Sequence, residues 1–238
     1  MSKRSVPLNI ENCTGCSACF SVCPENAIKM LSNNEGFLYP QINAKKCTDC
    51  ALCAKICPAL GRNFSPEHFA EPQTFVAYAG DNIRRQSSSG GIFGALALSV
   101  LKRGGYVCGA AFNAKWYVKH LIIDNQKDLP KLQRSKYVQS EIGNIYKELK
   151  KLLIKDKKVL FAGTPCQVAG LYACLQKDYE NLWTVDLICH GVPSPRVFAE
   201  YLTEITNGEK ILSVNFRDKR LSWEQFCLTV KTNNSVYS

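Results

Sequence analysis

Two cysteine runs set the architecture of this chain: CTGCSACFSVCP at residues 13–24 and CTDCALCAKICP at residues 47–58. Each run has the spacing C-x2-C-x2-C-x3-C-P, and the second begins 34 residues after the first. This spacing holds [4Fe–4S] cubanes through thiolates, three from one run and the last from the other. The predicted ligand sets are therefore Cys13, Cys16, Cys19 and Cys57 for one cluster and Cys47, Cys50, Cys53 and Cys23 for the second.

Zinc and disulfides are the alternative uses of closely spaced cysteines. Zinc sites take cysteines in pairs, whereas both runs add a third cysteine at the next step and end in Cys-Pro. Disulfides need an oxidising compartment, and residues 1–10 carry Lys3 and Arg4 without the apolar stretch of a signal peptide. We therefore favour iron–sulfur clusters and expect a cytoplasmic protein.

Length and composition suit a two-domain globular protein. The chain has 238 residues, of which 46% are hydrophobic. A helix that spans a bilayer needs about 20 apolar residues, and the longest candidate, residues 92–101, is interrupted by Gly94 and Ser99. We expect no membrane span.

The formal net charge of +10 treats every cysteine as neutral. Each [4Fe–4S] core with four thiolates contributes about −2, so the assembled protein carries roughly +6. Residues 115–158 contain twelve Lys or Arg and five Asp or Glu. This surplus suits an anionic organic substrate or redox partner, or simply a solvated helix face. No nucleic-acid motif accompanies it, so we expect no nucleic-acid partner.

The cysteine runs belong to an α+β, ferredoxin-like N-terminal domain, residues 1–62. Between the runs, residues 28–31 and 37–42 flank an Asn/Gly turn and predict a hairpin that covers the clusters with apolar side chains. Residues 63–73 contain two prolines and no periodicity, which predicts a linker.

Residues 74–238 alternate between strand and helix patterns, which predicts a mixed α/β domain with a largely parallel sheet. The predicted strands are 74–79, 106–113, 116–124, 158–162 and 183–189. The predicted helices are 91–102, 142–155, 167–176 and 195–206. Residues 211–220 and 225–232 predict a final hairpin that stops in mid-course.

Three turns that precede helices carry residues suited to ligand binding. Ser87-Ser88-Ser89-Gly90-Gly91 is small enough for a phosphate to approach free amides at a helix N-terminus, although capping of the helix is the alternative role. Gly163-Thr164-Pro165-Cys166-Gln167 follows a strand at the edge where open α/β sheets bind ligands. Thr164 and Pro165 also suit a cap and a first helical position.

Two further residues in these turns are candidates for cofactor contact. A cysteine at a helix N-terminus, such as Cys166, has a lowered pKa and is accessible to a ligand. His190, in the third turn at residues 189–195, suits a cofactor contact and a surface position equally well. We expect Ser194 to cap the following helix and the remaining cysteines, Cys108, Cys174 and Cys227, to be buried as small apolar residues.

The motifs resemble the beta subunit of coenzyme F-420 hydrogenases and dehydrogenases. They occur in order along the chain: the double cysteine run, the Ser-Ser-Gly-Gly turn, SKYVQS at 135–140, GTPCQ at 163–167, CHGVPS at 189–194 and FRDKR at 216–220. The resemblance implies an iron–sulfur flavoprotein that carries FAD and, in some members, exchanges electrons with a deazaflavin coenzyme. The family continues well past the position of Ser238, so we expect its C-terminal region to be missing here.

The resemblance makes residues 74–238 a flavin-binding domain. The implied cofactor-binding residues are Ser88, Ser89, Gly90, Gly91, Lys136, Gln139, Ser140, Gly163, Thr164, Pro165, Cys166, Gln167, His190 and Gly191. No residue is assigned a catalytic role, because the FAD and the two [4Fe–4S] clusters carry the chemistry.

Two functions are compatible with this organisation. In the first, FAD exchanges a hydride with an organic coenzyme and the clusters pass single electrons to a protein docked near them. In the second, the chain is a ferredoxin-type electron carrier and the α/β part is a docking platform. We favour the first because a ferredoxin needs only about 60 residues and three ligand-type turns lie outside them.

Overall fold

The structure is a computed structural model that describes residues 11–61, 71–220 and 222–238. Each cysteine run leads into a short helix, α1 (Ala18–Val22) in the first and α2 (Leu52–Lys55) in the second. The residue before each helix, Ser17 or Ala51, is left-handed, with φ of 63° and 58°. Because this conformation is costly for residues with a Cβ, its repetition shows that both runs fold around their cysteines in the same way.

The predicted hairpin between the runs is confirmed. It consists of β1 (Ile28–Ser32) and β2 (Leu38–Ile42), which pair antiparallel with Ile28 opposite Ile42. The Asn33 side chain closes the turn by accepting hydrogen bonds from the amides of Glu35 and Phe37, at 3.1 and 2.8 Å. Ile28 is buried in a cluster with Cys19 and Cys53, one cysteine from each run. The hairpin therefore packs against both runs.

The second part of the chain is a mixed α/β structure. Its four-stranded sheet has the order β4-β3-β5-β6. The strands are β3 (Tyr106–Phe112), β4 (Val118–Ile123), β5 (Val159–Gly163) and β6 (Leu182–Asp186). The β3–β5 and β5–β6 pairs are parallel, whereas β3 and β4 form an antiparallel hairpin.

Six helices accompany this sheet within the described residues. They are α3 (Asp81–Arg85), α4 (Ile92–Lys102), α5 (Leu129–Leu132), α6 (Ile145–Ile154), α7 (Pro165–Leu175) and α8 (Pro195–Thr206). The helix α6, predicted over residues 142–155, is amphipathic, since Tyr146 and Leu149 are buried while Lys150 and Lys151 are exposed. No helix of the described residues has the length and apolarity needed to cross a membrane.

The chain ends in a separate antiparallel sheet. It contains β7 (Ile211–Asp218), β8 (Cys227–Thr232) and β9 (Val236–Tyr237). The predicted final hairpin is therefore confirmed and gains a third strand. Of the three cysteines expected to be buried, Cys108 and Cys174 are buried and Cys227 is half-buried.

Two strand predictions were wrong in part or in full. Residues 72–80 form no strand, and Phe75, Val76 and Tyr78 are 77%, 103% and 71% exposed. The apolar pattern resembles a strand, but these residues find no partner ladder within the described parts of the chain. The strand predicted for residues 183–189 ends at Asp186. The linker prediction for 63–73 falls largely on residues 62–70, which lie outside the described residues.

A continuous core joins the cysteine runs to the α/β structure. Ala18 and Ile56, one from each run, are buried together with Tyr146, Phe161 and Leu171 of the α/β part. Burial of apolar side chains across this boundary stabilises both parts at once. The ferredoxin-like unit therefore has a fixed position against α6 and α7, whereas its sequence boundary at residue 62 remains a prediction.

Candidate redox-cofactor site

Two cavities are lined by cysteines, and each combines three from one run with the last cysteine of the other. The first cage contains Cys13, Cys16, Cys19 and Cys57. The second cage contains Cys47, Cys50, Cys53 and Cys23. The eight cysteines are thus grouped as their spacing predicts, and their role as ligands is the hypothesis that this grouping supports.

The donor sets fit a group larger than one ion. A zinc ion needs its ligands about 2.0–2.3 Å away, but no three Cys, His, Asp or Glu side chains of residues 11–61, 71–220 and 222–238 converge enough to hold one ion. Apolar side chains also line each cavity, with Met30 and Pro40 at the first cage and Ile28 and Ile42 at the second. Spaced thiols around an apolar cavity suit a [4Fe–4S] cubane.

Burial keeps the thiols of Cys16 and Cys19 in the first cage protonated until metal binds. It raises the pKa of Cys16 to about 11 and that of Cys19 further still. Iron must therefore displace these protons, which couples cluster assembly to pH. In the second cage, the Ala27 amide donates a hydrogen bond of 3.3 Å to the Cys23 sulfur. Hydrogen bonds of this kind tune the potential of a cluster.

One face of α7 lies along the first cage. It consists of the small residues Cys166, Gly170 and Cys174, which are four residues apart and so share one side of the helix. A Cβ on Gly170 would lie 3.3 Å from both the Cβ and the carbonyl oxygen of Cys16. The Cys174 thiol donates to the carbonyl oxygen of Ala18 at 3.6 Å. We call Cys166, Gly170 and Cys174 the small-residue face of α7.

The turn at the start of α7 follows β5, at the carboxyl edge of the sheet. The Gln167 side chain accepts from the Thr164 amide at 3.0 Å, completing a capping box, and Pro165 occupies the first turn. The capping role predicted as the alternative for Thr164 is therefore present. Cys166 has no part in the box; its sulfur lies 3.1 Å from the Thr164 hydroxyl. After burial, which is the main cause, Cys166 contributes to the raised pKa of Cys13 and of Cys16, so this turn lies within electrostatic reach of the first cage.

Gln139 connects three parts of the molecule. Its buried side chain accepts from the Leu38 amide at 2.7 Å, and its Nε2 lies 2.5 Å from the position of a Cβ on Gly15. Its backbone amide donates to the Pro193 carbonyl at 3.2 Å. Gly15 lies between two cysteines of the first cage, so a larger residue there would collide with Gln139. The residue thereby fixes the first cysteine loop to the α/β structure.

The buried histidine is His120 in β4, which sequence analysis missed. Its Nδ1 lies 2.8 Å from the Ser140 hydroxyl and its Nε2 lies 3.1 Å from the Ala162 carbonyl. Because a carbonyl only accepts, Nε2 carries the proton and Ser140 donates to Nδ1. Burial lowers the pKa of His120 to about 4, with a smaller effect from the charge of Lys136. A lone histidine within a strand pattern gives no signal in the sequence.

The loop that carries His190 and Gly191 differs from the other predicted site segments. Both residues are exposed, and the His190 side chain makes no hydrogen bond within the described parts of the chain. Gly191 has a φ of 113°, which other residues rarely adopt, and has open space around it. The structure does not bring these two residues into contact with the turns at α4 and α7.

The Ser-Ser-Gly-Gly turn joins the SKYVQS segment. The buried Ser88 hydroxyl accepts from the Ser135 amide at 2.8 Å. Gly91, the N-cap of α4, has a φ of 84°, and no side chain caps this helix. Ser89 and Gly90 occupy the same turn, where the Gly90 carbonyl accepts from Ala79 at 2.7 Å. Residues 135–140 therefore run from this turn to Gln139 and the first cage.

Lys136 lies within that connecting segment. Its ammonium donates to the carbonyl oxygens of Gln133 and Lys131, at 2.7 and 3.1 Å. Burial lowers its pKa to about 7, and the charge of Arg134 lowers it further. The charge of Lys136 therefore changes near neutral pH.

Four cations surround the Ser-Ser-Gly-Gly turn, and the sequence analysis assigned none of them to a site. We call Arg84, Arg134, Arg217 and Lys219 the cation group. Lys219 donates to the Ser87 carbonyl at 3.1 Å, and its pKa is lowered by partial burial and then by the other three charges. No member forms an ion pair with an acid of the described residues. Arg217 and Lys219 belong to the FRDKR motif, which was the available signal.

Comparisons with known proteins agree with this organisation. Residues 12–60 match the family model of a 4Fe-4S dicluster domain. Residues 156–237 match the family model for the C terminus of the coenzyme F420 hydrogenase/dehydrogenase beta subunit, so residues of that C-terminal region are present in this chain. No curated protein matches the sequence.

One similar solved structure is a xenon derivative of the F420-reducing [NiFe] hydrogenase complex from Methanosarcina barkeri, with 20% identity and a TM-score of 0.46. The match covers 67% of this chain and 57% of that one. The two matching family models lie in order along the chain and together span more than half of it. Residues 12–60 of this chain therefore carry a 4Fe–4S dicluster domain, and residues 156–237 carry a region similar to the C terminus of the coenzyme F420 hydrogenase/dehydrogenase beta subunit.

Proposed function

We propose that this chain is an iron–sulfur flavoprotein subunit of an oxidoreductase. It passes electrons between an anionic organic hydride carrier, such as a deazaflavin coenzyme, and a one-electron partner protein. The observation that carries the proposal is the small-residue face of α7. It brings the first cage directly against a helix whose N-terminus is at the carboxyl edge of the sheet, where α/β folds bind organic ligands.

FAD would supply the conversion between hydride transfer and single-electron transfer, which clusters alone do not perform. The residues proposed to hold it lie in the two turns and in the segment that joins them: Ser88, Ser89, Gly90, Gly91, Lys136, Gln139, Ser140, Gly163, Thr164, Pro165, Cys166 and Gln167. His190 and Gly191 complete the proposed set from an exposed loop whose end, Pro193, is bonded to Gln139.

The two cages have different positions in this proposal. The first cage touches α7, and we assign it the exchange of electrons with the organic site. The second cage is more accessible, because Cys50 is exposed and the exposed Lys45 and Lys46 precede its first cysteine. We assign the second cage to the docking of the redox partner, whose negative charge would complement these lysines. Cysteine thiolates of this kind belong in a reducing compartment, which we take to be the cytoplasm.

The test is anaerobic purification of the full-length chain followed by addition of FAD. We expect iron and sulfide at the level of two clusters, flavin that stays bound through gel filtration, and reduction of the clusters by a reduced deazaflavin coenzyme. Intact clusters with no retained flavin would favour the alternative, a ferredoxin-type electron carrier. Zinc in place of iron would contradict both functions.

A further inference from the structure

Three of the four members of the cation group, Arg84, Arg217 and Lys219, lie over aromatic side chains. The Arg84 guanidinium lies over Trp223 at 4.6 Å and over Tyr78 at 5.2 Å, and the Lys219 ammonium lies over the same Trp223 ring at 3.3 Å. The Arg217 guanidinium lies over Phe226 at 4.1 Å. Stacking fixes the direction of these long side chains, so they keep their positions without carboxylate partners.

The same side chains have unused hydrogen-bonding capacity. The Nε atoms of Arg84 and Arg217 are buried and have no hydrogen-bond partner within residues 11–61, 71–220 and 222–238. A buried donor without a partner is costly, and so is a set of like charges without a counter-charge. The FRDKR motif does contain an acid, Asp218, but it pairs with Arg220 at 2.9 Å. These features indicate an anion-binding site, and no acid of the described residues supplies the anion.

The N-terminus of α4 adds a second attraction for an anion at this place. This helix has 11 residues, and its N-cap, Gly91, offers no side chain that could bond the free amides of the first turn. A Cβ on Gly91 would lie 3.3 Å from the Arg84 Cα, so the helix end and the cation group are adjacent. Free amides at the positive end of a helix dipole bind phosphate.

We infer that the cation group and the N-terminus of α4 bind the pyrophosphate of FAD. This inference rests on the proposed function, and it adds which residues bind the phosphate end of FAD. The pyrophosphate carries the negative charge, so it belongs at Arg84, Arg217 and Lys219. The residues that would hold the isoalloxazine ring are then those of segment 135–140 and the turn at Cys166, next to the first cage.

The experiment compares three ligands on the anaerobic, cluster-loaded protein: FAD, riboflavin, which lacks phosphate, and inorganic pyrophosphate. The variants are Arg217→Gln and Lys219→Gln. Their matched controls are Arg103→Gln and Lys102→Gln, which remove the same charges at the exposed far end of α4. Iron content and circular dichroism establish that each variant is folded.

We expect each cation-group variant to weaken FAD and pyrophosphate binding about 10- to 100-fold, because charged hydrogen bonds are lost. Riboflavin binding should change less than about twofold, and the control variants should bind all three ligands like the wild type.

The outcomes separate this inference from the proposed function. Wild-type affinity of both variants for FAD would overturn the inference and leave the flavin function intact. Pyrophosphate binding that depends on Arg217 and Lys219, without any FAD binding, would overturn the flavin function and would show that the cation group binds a different phosphate ligand. Absence of binding by both FAD and pyrophosphate would overturn both.

Discussion

At the scale of single residues, His120 shows how hydrogen bonds offset the energetic cost of burying a polar group. Each ring nitrogen has one partner, so the neutral imidazole is fully satisfied. Protonation would place a second N–H against the Ser140 hydroxyl and bury a charge beside Phe161, whose ring centroid is 5.4 Å away. The residue therefore stabilises the fold only in its neutral form.

This predicts a loss of stability in acid. The pKa of His120 is about 4 in the folded protein, below its ordinary 6.5, so the unfolded chain binds the proton more readily. The contribution of neutral His120 to the free energy of unfolding is fully present above pH 6.5. It is lost as the pH falls towards 4, and the total loss is about 3 kcal/mol. Denaturant unfolding of anaerobic protein between pH 7.5 and 5 measures it, with His120→Gln as the comparison. If the free energy of unfolding depended on pH in the same way in the wild type and in His120→Gln, His120 would not be the source of the loss in acid.

A second residue-scale prediction concerns the crossed arrangement of the cages. Cys57 belongs to the second run but lines the first cage, so Cys57→Ala should damage the cluster of Cys13, Cys16 and Cys19. Cys23→Ala should damage the other cluster for the same reason. Iron analysis and electron paramagnetic resonance of each variant distinguish the two clusters. If Cys57→Ala instead removed the signal of the cluster held by Cys47, Cys50 and Cys53, the crossed ligand assignment would be wrong.

At the scale of elements, α7 brings the cysteine runs and the sheet together. Its N-terminus follows β5, its small-residue face meets the first cage, and its other buried residues join the core with Tyr146 and Phe161. A side chain in the middle of that face would separate the helix from the cysteine loop. The contact therefore depends on Gly170.

Gly170→Ala tests this contact. The new Cβ would lie 3.0 Å from the Tyr146 hydroxyl and 3.3 Å from Cys16. We expect a destabilisation of about 1–3 kcal/mol from overpacking and weaker retention of the first cluster. Gly80→Ala is the matched control, because a Cβ there meets nothing within 4 Å. Equal thermal stability and equal iron content in the two variants would mean that the helix and the loop can move apart freely.

At the scale of the whole molecule, the proposed order of electron transfer puts the first cage between the organic site and the second cage. Cys16→Ser should therefore prevent reduction of the second cluster by a reduced deazaflavin coenzyme, while dithionite still reduces it directly. Cys50→Ala should leave the first cluster reducible by both. Stopped-flow absorbance under anaerobic conditions measures both rates. Normal reduction of the second cluster by the deazaflavin coenzyme in the Cys16→Ser variant would contradict the proposed order of electron transfer.

Local patterns of the sequence predicted the parts of the molecule that depend on local chemistry. The cysteine spacing, the hairpin at β1 and β2 and the caps at Thr164 and Ser194 each involve residues close in the chain. The cation group depends on residues from three distant segments, which only the tertiary fold brings together. The strand predicted at residues 74–79 failed because an apolar pattern does not say whether a partner strand exists.

The core shared by Ala18, Ile56 and Leu171 also couples the retention of the clusters to the stability of the fold. Oxygen that strips iron from the first cage would leave buried thiols without their metal and loosen the support beneath α7. If FAD binds as proposed, loss of the first cluster would then also weaken the site that holds the flavin. The damaged protein would lose both redox groups and stop transferring electrons, rather than passing them to oxygen.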